Sequence, residues 1–344
     1  ARALRWDDSD QVQVFSGEEY WYRNRMDLVF NPQGIGFREK GKWWKWVDVE
    51  ECVISNKRLN ELISEVRDFF TRDGDIDSFD SKKHTGTFRF AVIRTPDGTG
   101  DSSISFVLNS DSTRMGQATE QIEEFAQKTS ANNVLVTYVK AKSGMSIGED
   151  FIVVKGGEML HEQYLGKTFW YSAQGFFQNN HGMAEKMHEY VRGLWSGYDT
   201  AAAHLLDLYG GVGTFGILNA EFFKSVTTLE SFAASTEAAQ RNISENHVEN
   251  IQAVCMDAKK LKTMDFPRPL YVITDPPRSG MHPKTIHQLR EIQPEVLVYI
   301  SCNPKQLQKD LPKFKDYEVK SAALFDLFPQ TPHMESVVEL VKRG

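Results

Sequence analysis

HLLDLYGGVGTFG, residues 204–216, sets the architecture that the C-terminal half of the chain follows. The run His204-Leu205-Leu206-Asp207-Leu208-Tyr209 is apolar and short enough for a buried strand, and Gly211-Val212-Gly213-Thr214-Phe215-Gly216 has the GxGxxG spacing of a turn into a helix. Glycines there let the backbone approach a ligand that a Cβ would keep away. Outward from this unit the pattern repeats. Val226 to Glu230 predicts a second strand ending in an acid, Ala233 to Asn246 a helix, and Ile251 to Met256 a third strand closed by Asp257. Leu270 to Thr274 predicts a fourth strand leading into Asp275-Pro276-Pro277-Arg278, Lys284 to Ile292 a helix, and Val296 to Ile300 a fifth strand. Lys320 to Asp326 and Ser336 to Val341 complete the set. Alternating strands and helices imply a mostly parallel, doubly wound α/β sheet, in which ligands lie beyond the C-terminal strand ends. Glu230, Asp257, Asp275 and Cys302 all fall at such ends.

With 344 residues the chain exceeds the size at which one core stops growing, so two domains are expected. The change of pattern near Phe169 places the boundary between residues 170 and 171: a β-rich α+β domain over 1–170 and a Rossmann-like domain over 171–344. A net charge of −7 argues against a nucleic-acid binder that uses its whole surface, but not against a local basic groove. Cys52, Cys255 and Cys302 are too few and too scattered for a disulfide framework or a self-contained metal site. No apolar run reaches the ~18–20 residues that span a bilayer. A cytoplasmic monomer with reduced thiols, no metal and no membrane partner is expected.

In the first domain, Trp6, Trp21, Trp43, Trp44 and Trp46 alternate with Arg23, Arg25, Arg38, Lys40, Lys42 and Lys45. Alternation around the Asn31-Pro32-Gln33-Gly34 turn predicts a β-hairpin or meander. Aromatic and basic residues on one sheet can stack bases and hold phosphates, and they equally suit a half-buried sheet with a solvated face. Asn56 to Thr71 has helical spacing, Asp73 to Lys83 reads as a loop, and Thr87 to Arg94 and Ser103 to Leu108 alternate as strands.

The glycine turn admits two ligands, a dinucleotide or S-adenosylmethionine (SAM), since both need a close turn and an acid for ribose. Asp207 in the preceding strand suits an ammonium group, and Asp257 is placed for an adenine amino group, which weighs toward SAM. A dinucleotide-dependent oxidoreductase is the alternative from another class. The DPPR lip, Asp275 to Arg278, can hold a planar heterocycle, and Arg278 stands where amino-methylating enzymes have an aromatic residue. Cys302, in Tyr299-Ile300-Ser301-Cys302-Asn303-Pro304, adds a nucleophile. Carbon 5 of uracil becomes nucleophilic once a thiolate has added to carbon 6, and the proton on carbon 5 must afterwards leave to a general base. Glu335, in His333-Met334-Glu335-Ser336, can serve.

LDLYGGVG, ESF, DPPRSG, YISCNP and FPQTPHMES, in this order, resemble the RNA (uracil-5-)-methyltransferase family, which forms 5-methyluridine in tRNA and ribosomal RNA. The resemblance is close from Phe176 to Val341 and looser over YRNRM and VDVEEC. It implies SAM as cofactor, Cys302 as nucleophile, Glu335 as base and Asp275 beside both target base and cofactor. It further implies that Gln178, Tyr209, Gly211, Gly213, Thr214, Glu230 and Asp257 line the cofactor site with Asp207. The partner implied is RNA, flipped at one uridine. The ending ALFDLFPQTPHMES favours the T-loop uridine of tRNA, with 23S ribosomal RNA as the alternative. Cys52 matches the last ligand of the iron–sulfur cluster found in the ribosomal branch, but its three companion cysteines are absent, so no cluster is expected.

Overall fold

The computed structural model describes residues 12–72 and 76–344, without the side chain of Trp43; Trp6 and residues 73–75 of the expected loop lie outside the described residues. In chain order the elements are β1 (Gln13–Phe15), β2 (Arg25–Asn31), β3 (Gly34–Glu39), β4 (Lys42–Asp48), α1 (Lys57–Thr71), β5 (Phe88–Arg94), β6 (Ser103–Asn109), α2 (Met115–Lys128), β7 (Asn133–Val139) and β8 (Phe151–Lys155). A hairpin of β9 (Met159–Tyr164) and β10 (Lys167–Ser172) and helix α3 (His181–Leu194) follow. The remainder comprises β11 (His204–Leu208), α4 (Thr214–Asn219), β12 (Ser225–Glu230), α5 (Ala233–Glu245), β13 (Ile251–Cys255), β14 (Leu270–Thr274), α6 (Pro283–Ile292), β15 (Val296–Ser301), α7 (Pro304–Asp310), β16 (Tyr317–Phe325) and β17 (Glu335–Lys342).

Two compact units result, and they are not consecutive in the chain. One comprises residues 19–162 and 171–181; the other takes residues up to 18, 163–170 and 182–344. The expected boundary at residue 170 is therefore one of four crossings. Among the described residues, no helix is long and apolar enough to cross a membrane.

The larger, C-terminal unit is built on an eight-stranded sheet of order β1-β16-β17-β15-β14-β11-β12-β13. Strands β11 to β15 are parallel, and β17 is antiparallel to both neighbours, β15 and β16. Chain order reverses between β11 and β14, and such a switch point opens a crevice at the C-terminal strand ends. Every residue of β11, β14 and β15 is buried, as expected for strands covered on both faces. Behind the crevice the fully buried Asp310 accepts from Tyr299 Oη (2.8 Å), Gln306 Nε2 (3.1 Å) and Lys313 Nζ (2.7 Å), tying α7 to β15.

The other unit holds a seven-stranded sheet, β4-β3-β2-β5-β6-β7-β8. Helix α1 buries Leu59, Leu62, Ile63, Val66 and Phe70 on one face, and Asn56 Oδ1 caps it by accepting from the Leu59 amide at 2.8 Å. Where the sequence alternates over Ser103 to Leu108, the structure buries all of β6, because β7 pairs with it in parallel after the α2 crossover. Phe30, Phe70, Phe88, Phe106 and Phe125 form the centre of this core, with Phe106 and Phe125 edge to face at 5.3 Å. Phe106→Ala should lower stability by about 3–5 kcal/mol, read as an earlier urea-unfolding midpoint followed by circular dichroism.

Candidate active site

The turn after β11 is held open from beneath. Asp207 is 1% exposed, and its Oδ2 accepts from the Gly216 amide (2.9 Å) and Thr228 Oγ1 (2.8 Å). Burial pushes this carboxyl up to about 6. A Cβ on Gly210 would lie 2.0 Å from Thr228 Oγ1, so no other residue fits the cradle. Gly211 (φ 54°) and Gly213 (φ 85°) take the left-handed region, and so does Tyr209 (φ 63°), a conformation that costs a non-glycine residue ~1–3 kcal/mol. Thr214 opens α4 directly after the turn.

Acidic residues close the turn on its outer side. Glu230, ending β12, accepts from the Gly211 amide at 3.2 Å and from the amides of Ser231 and Phe232 at 2.6 and 2.9 Å. Asp257 accepts from the Lys259 amide and Lys259 Nζ, both at 2.8 Å, which holds its carboxyl below the usual range. A cavity of about 400 Å³ opens beside them, lined by Tyr209, Leu229, Met256, Asp257, Pro277 and Met281 among others. Its apolar walls and single peripheral acid suit a flat nucleoside. His282, Pro283 and Lys259 also line it. Sequence patterning did not mark these three; His282-Pro283, a capping residue before proline, was the available signal.

Strand register decides where Cys302 and Glu335 lie. In the β15–β17 pair Ser301 faces Ser336, which brings Cys302, the residue after β15, and Glu335, the first of β17, to the same end of the pair. Asp275 directly follows β14, the neighbour of β15 on its other side. Asn303 Nδ2 donates to the Arg278 carbonyl at 3.0 Å, locking the DPPR lip to the Cys302 loop. Glu335 is buried, and its Oε2 has no partner among the described residues, an orphan aimed for use or for a ligand.

This edge concentrates acids in a poorly solvated place. Burial pushes the half-buried Cys302 thiol up to about 11, with Glu335 and Asp275 adding to the rise and Arg278 opposing it. Burial raises both carboxyls as well, with the Asp207 charge adding to the rise at Asp275 and the Asp275 charge to the rise at Glu335. A base with a raised pKa is the stronger proton acceptor once ionised. A cation bound at this edge would draw all three groups back toward their charged forms.

Gln178 belongs to the other unit, where its carbonyl accepts from Asn24 Nδ2 at 3.4 Å. Cys52 is half-buried there; its amide donates to Asn60 Oδ1 at 2.9 Å, and it packs against the core. On the aromatic and basic hairpin of β3 and β4, Glu39 pairs with Lys42 (2.6 Å) and Lys45 (2.5 Å), while Trp44 is exposed.

The profile of the tRNA (uracil-5-)-methyltransferase family matches residues 4–343. A tRNA (uracil(54)-C(5))-methyltransferase of Pyrococcus horikoshii is 34% identical over 322 residues, covering 94% of this chain and 74% of that protein. The Pyrococcus abyssi enzyme of the same name is 33% identical over 333 residues, covering 96% of this chain and 77% of that protein. A crystal structure of Pyrococcus abyssi tRNA (uracil-54, C5)-methyltransferase in complex with S-adenosyl-L-homocysteine superposes with a TM-score of 0.80 at 30% identity, covering 99% of this chain and 80% of that one.

The electrostatics predict a measurable thiol titration. With Cys52 and Cys255 changed to Ser, the rate of Cys302 alkylation by iodoacetamide should rise through a midpoint near pH 11. Because the Glu335 charge raises the thiol's pKa, Glu335→Gln should move that midpoint to lower pH; an unmoved midpoint would show that the carboxylate does not face the sulfur.

Proposed function

Since the chain belongs to the tRNA (uracil-5-)-methyltransferase family, we propose that it methylates carbon 5 of the T-loop uridine of tRNA, using SAM and a covalent Cys302–uracil adduct. The observation that supports this reading is the register of β15 and β17, which brings Cys302 and the buried Glu335 to one end of the strand pair, near enough for the carboxylate's charge to raise the thiol.

The residues present fit the methyl donor. Tyr209, Gly211, Gly213 and Thr214 shape a turn with no Cβ in the way, Glu230 ends the strand beside it, and Asp257 stands at the rim of the cavity. Asp207 acts from beneath as the brace of that turn. When bound, SAM supplies an electrophilic methyl group on a cationic sulfur. Gln178 is assigned to the same site on the family resemblance.

The chain's own residues carry the remaining steps. The Cys302 thiolate forms a bond to carbon 6, and the electron pair of the carbon 5–carbon 6 double bond moves into the ring as an enolate. Carbon 5 then takes the methyl group. Glu335 as carboxylate removes the proton from carbon 5, the double bond re-forms, and the sulfur–carbon bond breaks to return the thiolate. Asp275, partly buried at the end of β14, is assigned to holding the uracil edge. Carbon 6 is inaccessible inside a stack, so the uridine enters flipped. The β-rich unit is assigned to binding RNA.

Incubation with tritiated SAM and separate pools of unmodified tRNA and ribosomal RNA should label tRNA at a single uridine. Cys302→Ala should lose at least about 10³-fold in rate, as removal of a covalent nucleophile does. Glu335→Gln should accumulate a protein–RNA adduct stable in denaturing electrophoresis. Methyl transfer by the Cys302→Ala protein at the wild-type rate would defeat the covalent mechanism.

A further inference from the structure

We propose that three loops at one end of the seven-stranded sheet, residues 78–87, 110–114 and 140–146, form a preorganised platform for the sugar–phosphate backbone of RNA. The inference deepens the RNA reading above and rests on it.

The loops are bonded into one body. Thr87 Oγ1 lies 2.5 Å from Ser112 Oγ, joining the first loop to the second. Asp111 joins the second to the third, accepting from Lys140 Nζ (3.2 Å) and the Ala141 amide (3.0 Å). Arg89 closes the ring. Only 5% exposed, it donates to the carbonyls of Lys140 (2.9 Å), Ala141 (3.3 Å) and Ser143, and its guanidinium lies 4.1 Å from the centre of the Phe79 ring. A cation buried on carbonyls alone is costly to place, and its purpose here is to hold loop 140–146 in shape.

Within these three loops exposed basic residues outnumber the acids, Asp80 and Asp111. Lys82, Lys83, Arg114, Lys140 and Lys142 are exposed on them. The carboxylates there also take part in internal bonds: Asp77 accepts from Thr87 Oγ1 at 2.6 Å, Asp80 from the Lys82 amide at 2.8 Å, and Asp111 from the Ala141 amide as well as from Lys140. Lys83 reaches Asp80 only at 3.9 Å with a side chain 77% exposed. A surplus of cations on a rigid scaffold, in a chain of net charge −7, is the footprint of phosphate contact. On the hairpin of β3 and β4, Glu39 pairs with both Lys42 and Lys45.

The test is the salt dependence of affinity for an unmodified tRNA transcript. Each phosphate contact contributes ~0.7–0.9 to the slope of log K against log salt. Changing Lys82, Lys83, Arg114 and Lys142 together to Gln should weaken binding at least about tenfold at ~50 mM KCl and reduce the slope by ~3. Changing the same three lysines to Arg should keep both, and Lys42→Gln with Lys45→Gln should leave the slope as it is. An unchanged slope in the fourfold Gln variant overturns the proposal whether or not affinity falls, since a loss without a change in slope is not electrostatic. The reading of the chain as a methyltransferase is judged separately: a wild-type protein that methylates no RNA defeats that reading without bearing on the slope.

Discussion

An antiparallel strand set into a parallel sheet is the constraint on which the candidate site depends. Parallel strands all deliver their C-terminal ends to one edge, whereas β17 delivers its N-terminus there. A residue at the start of a strand thus comes to the same edge as one just past the end of another, and Glu335 and Cys302 are brought near each other across 33 residues of chain. A slip of one residue in this pairing would turn Glu335 to the other face of the sheet. The buried Asp310 network behind β15 and α7 works against such a slip by fixing the loop that carries the thiol.

Burial gives the same edge its chemistry. Three acids, Cys302, Asp275 and Glu335, share a poorly solvated place, where Asp275 raises the preference of Glu335 for the neutral form and both raise that of Cys302. Such an arrangement is costly unless a ligand brings compensating charge, and a sulfonium does. The glycine turn meets the opposite need: Asp207 spends its carboxylate inward on Gly216 and Thr228, so that the turn presents backbone rather than side chains to what binds there.

The β-rich unit applies another economy of charge. Its cations are divided between Glu39, which quenches two lysines of the β3–β4 hairpin, and the loops around Arg89, where the carboxylates are occupied by amides and hydroxyls. Equal numbers of basic residues in a sequence therefore need not give equal fields. The partners of the acids decide.

Periodicity and punctuation were sufficient for the alternating strands and helices from His204 onward, because a strand buried on both faces must be continuously apolar and its turn must be glycine. Motif order made Cys302, Glu335 and Asp275 legible together, and Asn56 and the apolar face of α1 were equally plain. Other features had no local signature. The full burial of β6 follows from which strand lies beside it, the four chain crossings from contacts distant in sequence, and the lining role of Lys259 and His282 from loops that converge only in space. Residue types and local spacing determine which chemistry a chain can do, since propensity and backbone sterics act over a few residues. Pairing register and burial are long-range quantities, and they alone decided that the thiol lies near the carboxyl, that neither is comfortably ionised, and that the aromatic hairpin is less basic than its sequence.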